Sequence, residues 1–162
     1  MKNLLEIKES RFGKGLFATK NIQAGAVICQ IPLNKELDFH STVLLKENES
    51  HALQIDHDRY VLCQPPFLYS NHSCNPNCGV NTNFEMIALK DIRKGEELFW
   101  DYSTSMLERH WTMKCGCGEK NCRKTVTDFD LLPQAIQSRY LDLNIVFPFI
   151  AHFVQQQLAK SA

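Results

Sequence analysis

Three cysteines lie within eight consecutive residues, at Cys115, Cys117 and Cys122. The segment has the form C-x-C-x4-C, and the glycines that follow the first two cysteines allow the backbone to fold tightly around an ion. Structural zinc prefers thiolate ligands and takes about four of them in a tetrahedron. The cluster therefore predicts a zinc site that a fourth cysteine completes, for which Cys74 and Cys78 are the candidates.

The cysteine count helps to separate a metal site from a disulfide framework. The chain has seven cysteines, an odd number, and its first ten residues, MKNLLEIKES, lack the long apolar run of a signal peptide. Metal binding in an intracellular protein therefore explains the cysteines better than disulfides do. The alternative, a group of free surface thiols, would leave closely spaced cysteines open to oxidation. Bound zinc would add on the order of 10 kcal/mol of local folding energy.

Length and charge restrict the classes of partner. The 162 residues suit one domain, and the 18 Lys and Arg residues balance the 18 Asp and Glu residues. A neutral chain is not expected to bind nucleic acid strongly through general electrostatics. No window approaches the roughly 18 apolar residues that would predict a membrane span, so no membrane partner is expected.

Hydrophobic patterning predicts a mainly β body with a helical C-terminal tail. Short apolar segments predict strands near residues 16–18, 26–28, 60–63, 84–89 and 98–100. Residues 71–83 hold five asparagines, a proline and a glycine, and predict a loop. The more polar residues 34–58 predict helix or loop. Apolar spacings of three and four predict helices over 134–143 and 149–158, separated by Pro148.

Four motifs together resemble the SET-domain protein-lysine methyltransferases, and they occur in that family's order. Residues 71–77 read N-H-S-C-N-P-N and residues 95–102 read G-E-E-L-F-W-D-Y, which are similar to two family signatures. Residues 11–18, R-F-G-K-G-L-F-A, resemble the family's glycine-bearing opening segment. The cysteine cluster is similar to the post-SET zinc motif. The chain resembles the small, single-domain members of bacterial type.

The resemblance implies a fold of small curved β-sheets with a knot-like threading of the C-terminal part through a loop. It implies a SET core at 1–112, a post-SET zinc segment at 113–126 and a helical tail at 127–162 that packs on the core. The aromatic residues of the tail leave two alternatives open, closure over the cofactor and substrate groove or a dimer contact.

The resemblance also implies roles for individual residues. S-adenosylmethionine would donate a methyl group to a lysine of a protein, Tyr102 would be catalytic, and Trp100 and Tyr60 would line the substrate channel, with core packing as the alternative for Tyr60. The fourth zinc ligand would be Cys74 rather than Cys78. The implied cofactor-binding residues are Gly13, Lys14, Gly15, Asn71, His72 and Tyr102.

The resemblance also leads to expectations about the methylation state, the function, the partner and the compartment. Trp100 stands where the family commonly has Phe or Tyr, and its larger ring is expected to favour low methylation states. The alternative function is a catalytically silent zinc-bearing SET module that binds protein tails. The partner would be a histone, a histone-like protein or another lysine-bearing protein, and the chain a monomer or homodimer. We expect it in the cytoplasm if it is bacterial and in the nucleus if it is eukaryotic.

Overall fold

The computed structural model of the protein describes residues 4–46 and 51–160. The predicted domain limits at residues 1 and 162 therefore lie outside the described residues. Within them the chain forms short strands, three α-helices and short 3-10 helices at Phe67–Tyr69, Tyr102–Ser105 and Phe129–Leu131. The strands and helices are β1 (Leu5–Ser10), β2 (Gly13–Ala18), β3 (Val27–Gln30), β4 (Glu36–Leu37), α1 (Phe39–Val43), β5 (Ala52–Asp56), β6 (Arg59–Leu62), β7 (Asn71–His72), β8 (Cys78–Val80), β9 (Glu85–Ala88), β10 (Phe99–Trp100), β11 (Met113–Lys114), β12 (Thr125–Val126), α2 (Gln134–Asp142) and α3 (Pro148–Lys160).

The strands of the described residues form small sheets of two or three members. β1 and β2 make an antiparallel hairpin, β3, β9 and β8 make a second sheet, and β4, β6 and β5 a third. β11 pairs with β12, and β7 pairs with β10. No sheet in the described part is wide enough to form a core alone. Apolar side chains from four of the sheets share one cluster, and β11 and β12 contribute to a second, smaller one. The prediction of a mainly β protein of small sheets is confirmed.

The pairing of β7 with β10 is the contact that organises the centre of the molecule. The two strands run parallel, with Asn71 beside Phe99 and His72 beside Trp100. This pairing places the N-H-S-C segment directly against the segment that precedes Tyr102. The predicted loop over 71–83 is therefore wrong at β7 and β8. The distant strand β10 supplies the backbone hydrogen bonds of β7, and the next strand along the chain, β9, supplies those of β8. The knot-like threading stays a prediction.

The region predicted as helix or loop at 34–58 is partly strand. β5 lies within it and pairs with β6, and its residues Leu53, Gln54 and Ile55 are buried. The prediction failed here because β5 is short, with only Leu53 and Ile55 as large apolar residues, and it is stabilised by pairing with β6. Residues 47–50, in the same region, lie outside the described residues.

The tail forms the two predicted helices. α2 covers all but the last of the predicted residues 134–143, and α3 begins at Pro148. Proline suits the first turn of a helix, where its missing N–H would have no intrahelical partner, so Pro148 starts α3. Phe129, Tyr140 and Phe147 are almost fully buried in the same cluster as the strands. The division of the chain into three parts stays a prediction. Among the described residues, no helix is both long and apolar enough to cross a membrane.

Candidate active site and metal centre

Four thiols meet in one cluster, where the sequence predicted the metal. The sulfur atoms of Cys74, Cys115, Cys117 and Cys122 all lie within 4.8 Å of one another. The Cys74 and Cys115 sulfurs are 3.8 Å apart, and a tetrahedron with Zn–S bonds of about 2.3 Å gives a separation of about 3.8 Å. Cys78 lies in β8 and is not part of the cluster. The donor set and spacing therefore fit zinc.

The electrostatics of the cluster favour a bound cation. Burial raises the pKa of the Cys74 thiol to about 11 and raises that of Cys115 further. At Cys117 burial also opposes the thiolate, but backbone N–H groups and neighbouring thiols outweigh it and lower its pKa to about 7. A divalent ion would supply the positive charge that such buried thiolates need.

Tyr102 begins a 3-10 helix directly after β10, and the carboxylate of Asp101 caps that helix by accepting from the Ser103 N–H at 3.2 Å. The Tyr102 hydroxyl donates to the Ser70 carbonyl at 2.9 Å. Burial raises the pKa of Tyr102 above its usual value. The phenol therefore stays protonated at neutral pH and acts as a hydrogen-bond donor rather than as a base.

A cavity of about 70 Å³ lies beside the Tyr102 ring. Trp100 and Tyr102 have ring centroids 5.0 Å apart, and Trp111 lies 6.5 Å beyond Tyr102. The cavity is narrow and aromatic, which suits an alkyl chain that ends in a cation. Both residues predicted for the channel line it, since its walls include Tyr60, Cys63, Phe67, Trp100, Tyr102, Glu108 and Trp111.

The glycine-bearing hairpin and β7 approach each other on the predicted cofactor side. The Asn71 side chain donates to the Lys14 carbonyl at 3.0 Å and to the Glu97 carboxylate at 2.7 Å. Gly13 has a φ of +93° in the hairpin turn, and a Cβ at Gly15 would clash with the Glu97 carboxylate. The structure thus brings Gly13, Lys14, Gly15 and Asn71 to one place, with glycine required at two of the positions.

A buried polar network joins this region to the zinc segment and the tail. The Asp101 carboxylate accepts from Arg123 Nη2 at 2.7 Å and from the Tyr140 hydroxyl at 2.9 Å. Burial lowers the pKa of His72 to about 4, so its ring is neutral at neutral pH. Its Nδ1 accepts from the Tyr102 N–H at 3.3 Å, which leaves the ring proton on Nε2. His72 therefore positions Tyr102 without carrying charge.

Comparison with known proteins decides the family. The sequence profile of the SET domain matches residues 13–103, more than half of the chain. The chain belongs to the SET domain family. The match contains β2 with its two glycines, the N-H-S-C segment and Tyr102. The cysteines at 115–122 and the tail lie beyond it.

Relatives of this SET domain are parts of much longer proteins. The chain is 32% identical over 127 residues to "Histone-lysine N-methyltransferase trr" of Drosophila melanogaster. That match covers 69% of this chain and 5% of that protein. It is 29% identical over 139 residues to "Histone-lysine N-methyltransferase 2D" of Homo sapiens. That match covers 76% of this chain and 2% of that protein. The chain therefore spans only a small part of these relatives.

A solved structure shows the same fold. The crystal structure of KRYPTONITE in complex with mCHG DNA and SAH is similar with a TM-score of 0.59 and 22% sequence identity, covering 78% of this chain and 30% of that one. Since four-fifths of this chain superposes at low identity, the SET fold is shown, and activity has to be argued from the site itself.

Sequence reasoning missed several residues that shape this SET-domain site. Cys63, Glu108 and Trp111 line the cavity, and Glu97 faces Gly15. Arg123 directly follows Cys122, one of the four clustered cysteines. A cationic side chain next to thiolates could have been expected at that position. For the others the sequence carries no local signal, because their neighbours in space lie many residues away. Tyr140, one of the tail's aromatic residues, is buried, and its hydroxyl bonds Asp101.

Proposed function

We propose that the protein transfers a methyl group from S-adenosylmethionine to the side chain of a lysine in a protein. The observation that carries the proposal is the narrow aromatic cavity beside the protonated Tyr102 hydroxyl. The names of the relatives describe histone-lysine methyltransferases, and KRYPTONITE was solved with SAH, the product that remains after the donor loses its methyl group. Both support the same reaction here.

The residues of the site suit a displacement that depends on alignment. S-adenosylmethionine, when bound, supplies an electrophilic methyl group on a sulfonium. The cavity desolvates the lysine amine, which lowers its pKa and favours loss of a proton to solvent before transfer. The Tyr102 hydroxyl can orient the neutral amine, and the rings of Tyr102 and Trp100 stabilise the positive charge that the amine gains.

The cofactor would be held at the meeting point of the hairpin and β7. Gly13 and Gly15 leave room for its amino-acid end, the Lys14 backbone offers hydrogen bonds, and Asn71 and His72 lie alongside. The ring centroids of His72 and Tyr102 are 5.2 Å apart, so the proposed cofactor residues and the catalytic residue adjoin.

Zinc would connect the two walls of the site. Cys74 follows His72 by two positions, and the other ligands belong to the segment after Tyr102. Asn121 adds a second link, donating from its side chain to the Cys74 carbonyl at 3.0 Å. The ion is expected to hold the cofactor side against the channel side.

Trp100 is the basis for proposing a low methylation state. Its ring is buried in the channel wall, and its Nε1–H has no acceptor among the described residues. That donor can hold a water molecule in the channel and so reduce the space for added methyl groups. Mass spectrometry of the product tests this, since efficient trimethylation by the wild type would defeat it.

The substrate is proposed to be a histone, a histone-like protein or another lysine-bearing protein. The chain's neutral charge is the reason to expect little direct binding to nucleic acid, although KRYPTONITE was solved with DNA. Its compartment and its state as monomer or homodimer stay predictions.

A labelled-methyl transfer assay tests the function. The purified protein is incubated with labelled S-adenosylmethionine and a cell extract, and the labelled protein is identified. Transfer to a lysine supports the proposal. Binding of S-adenosylmethionine by calorimetry, without transfer to any protein, would favour the catalytically silent module instead.

A further inference from the structure

Glu108 is the one residue with an ionisable carboxyl among those that line the cavity. Its Oε2 accepts a hydrogen bond from the Tyr60 hydroxyl at 2.7 Å, and both residues are cavity walls. Lysine channels built from aromatic rings attract cations through the ring faces alone. A carboxylate in the same wall adds a full negative charge to that attraction.

The backbone around Glu108 is held by Asp128, so the side chain has a defined direction. The N–H groups of Glu108 and Arg109 donate to the two carboxylate oxygens of Asp128 at 3.2 and 2.8 Å. Asp128 is itself buried. The arrangement anchors the segment on the tail and leaves the Glu108 side chain at the cavity.

The guanidinium of the next residue, Arg109, is already paired elsewhere. Arg109 pairs with Asp128 and Asp130, and its side chain is half exposed. Its positive charge therefore balances those two carboxylates. Glu108 is paired instead with a neutral phenol.

The ionisation of Glu108 reflects opposing influences. Burial raises the pKa of the Glu108 carboxyl above its usual value, and hydrogen bonds from the Tyr60 hydroxyl and the Trp111 backbone offset only part of that rise. Asp128 disfavours the charge and His110 favours it. A cation in the cavity would stabilise the carboxylate further.

We propose that Glu108 makes the channel selective for a cationic amine, so that the lysine side chain first enters as an ammonium, bound by the Glu108 carboxylate together with the surrounding aromatic rings, and loses its proton to solvent before methyl transfer. The proposal rests on the proposed function and extends it to how the substrate is recognised. Glu108 is a specificity residue here, and its loss is expected to raise KM more than it lowers kcat.

The chain contains two tryptophans, Trp100 and Trp111, and both line the cavity. Intrinsic tryptophan fluorescence therefore reports on the channel directly, without any methyl transfer. The probes are n-butylammonium, which copies the end of a lysine side chain, and n-butanol, which has nearly the same size without charge. The wild type is expected to bind the cation about tenfold more tightly than the alcohol.

Two variants and a control make the test specific. Glu108→Gln keeps the shape and an acceptor for Tyr60, and should remove the preference for the cation while leaving n-butanol binding unchanged. Tyr60→Phe removes the hydroxyl that holds Glu108 and should reduce the preference partly. Glu9→Gln, at an exposed position of β1, removes a charge from a residue that does not line the cavity. It should leave the binding of both probes unchanged.

Equal binding of the two probes by the wild type, or no binding of the cation, would overturn the proposal. So would a full preference retained in Glu108→Gln. If Glu108→Gln does not fold, as judged by circular dichroism, Tyr60→Phe decides in its place. Failure of the methyl-transfer assay with an intact cation preference would defeat the proposed function and leave the channel's selectivity standing.

Discussion

Asp101 shows how one carboxylate can order a site without touching substrate. It is buried and accepts from Ser103, Arg123 and Tyr140, which belong to three different elements. These donors supply the hydrogen bonds that the buried carboxylate would otherwise make to water. The residue after it is Tyr102, and the position of that ring therefore depends on the whole network.

Tyr102→Phe tests the role of the hydroxyl. Methyl transfer is expected to fall by at least about tenfold, because the amine loses a group that orients it. The fold should survive, since one hydrogen bond to a carbonyl contributes about 1 kcal/mol. Initial rates with saturating S-adenosylmethionine and a thermal melt measure the two effects. An unchanged rate would remove the hydroxyl from the mechanism.

At the scale of elements, the zinc segment is short and has little regular structure. β11 and β12 contribute two residues each, and two-stranded pairs are marginal in water. A small apolar cluster that includes Met106, Trp111 and Val126 packs around the cysteines. The metal is therefore expected to supply much of the segment's stability.

Cys117→Ser is expected to lower the zinc content well below one ion per chain, because serine replaces a thiolate with a poor ligand. Stability should fall by about 3 kcal/mol, which lowers the melting temperature of a chain of this size by about 6 to 12 °C. Elemental analysis and a thermal melt measure both. Cys29→Ser, in β3 and outside the cluster, is the matched control and should keep its zinc.

α2 contributes to the site through Tyr140. Tyr140→Phe deletes the hydroxyl that donates to Asp101 and is expected to cost about 1 to 3 kcal/mol, since a buried charged acceptor loses a donor. Urea unfolding of Tyr140→Phe, Asp101→Asn and the double variant gives the coupling free energy of the pair. A coupling near zero would show that the two side chains act independently.

At the scale of the whole molecule, the tail packs against the sheet of β3, β9 and β8. Gly79 in β8 lies against Ile145, and a Cβ there would approach the Ile145 Cγ2 to 2.6 Å. Gly79 therefore permits a close approach of strand and tail. The tail's buried aromatics would be exposed if it did not pack there.

Gly79→Ala is expected to destabilise the protein by about 1 to 3 kcal/mol through overpacking. Ile145→Ala removes the atoms that clash and also leaves a cavity, so the double variant should be less destabilised than the sum of the two single variants. Urea denaturation of all four proteins measures this. Strict additivity would mean that the tail does not pack on β8 in solution.

The fold was predictable where the signal is local. The helices of the tail follow from apolar spacing, and five of the twelve strands in the described residues, β2, β3, β6, β9 and β10, follow from short apolar segments. β5, β7 and β8 were missed because pairing with β6, β10 and β9 decides them rather than a local apolar pattern. Within the site, spacing and motif pointed to Cys74, Trp100 and Tyr102, and the structure places all three at the cluster or the cavity.

The sequence by itself determined the family resemblance, the set of four cysteines and the helical tail. Each depends on residues that are close together in the sequence or that occur in a fixed motif order. Only the tertiary structure decided that Tyr140 bonds Asp101, 39 positions away, and that Glu108 meets Tyr60 across 48 positions. Such contacts depend on how separate elements pack, and packing is set by shape and burial over the whole core, which no local pattern of residues records.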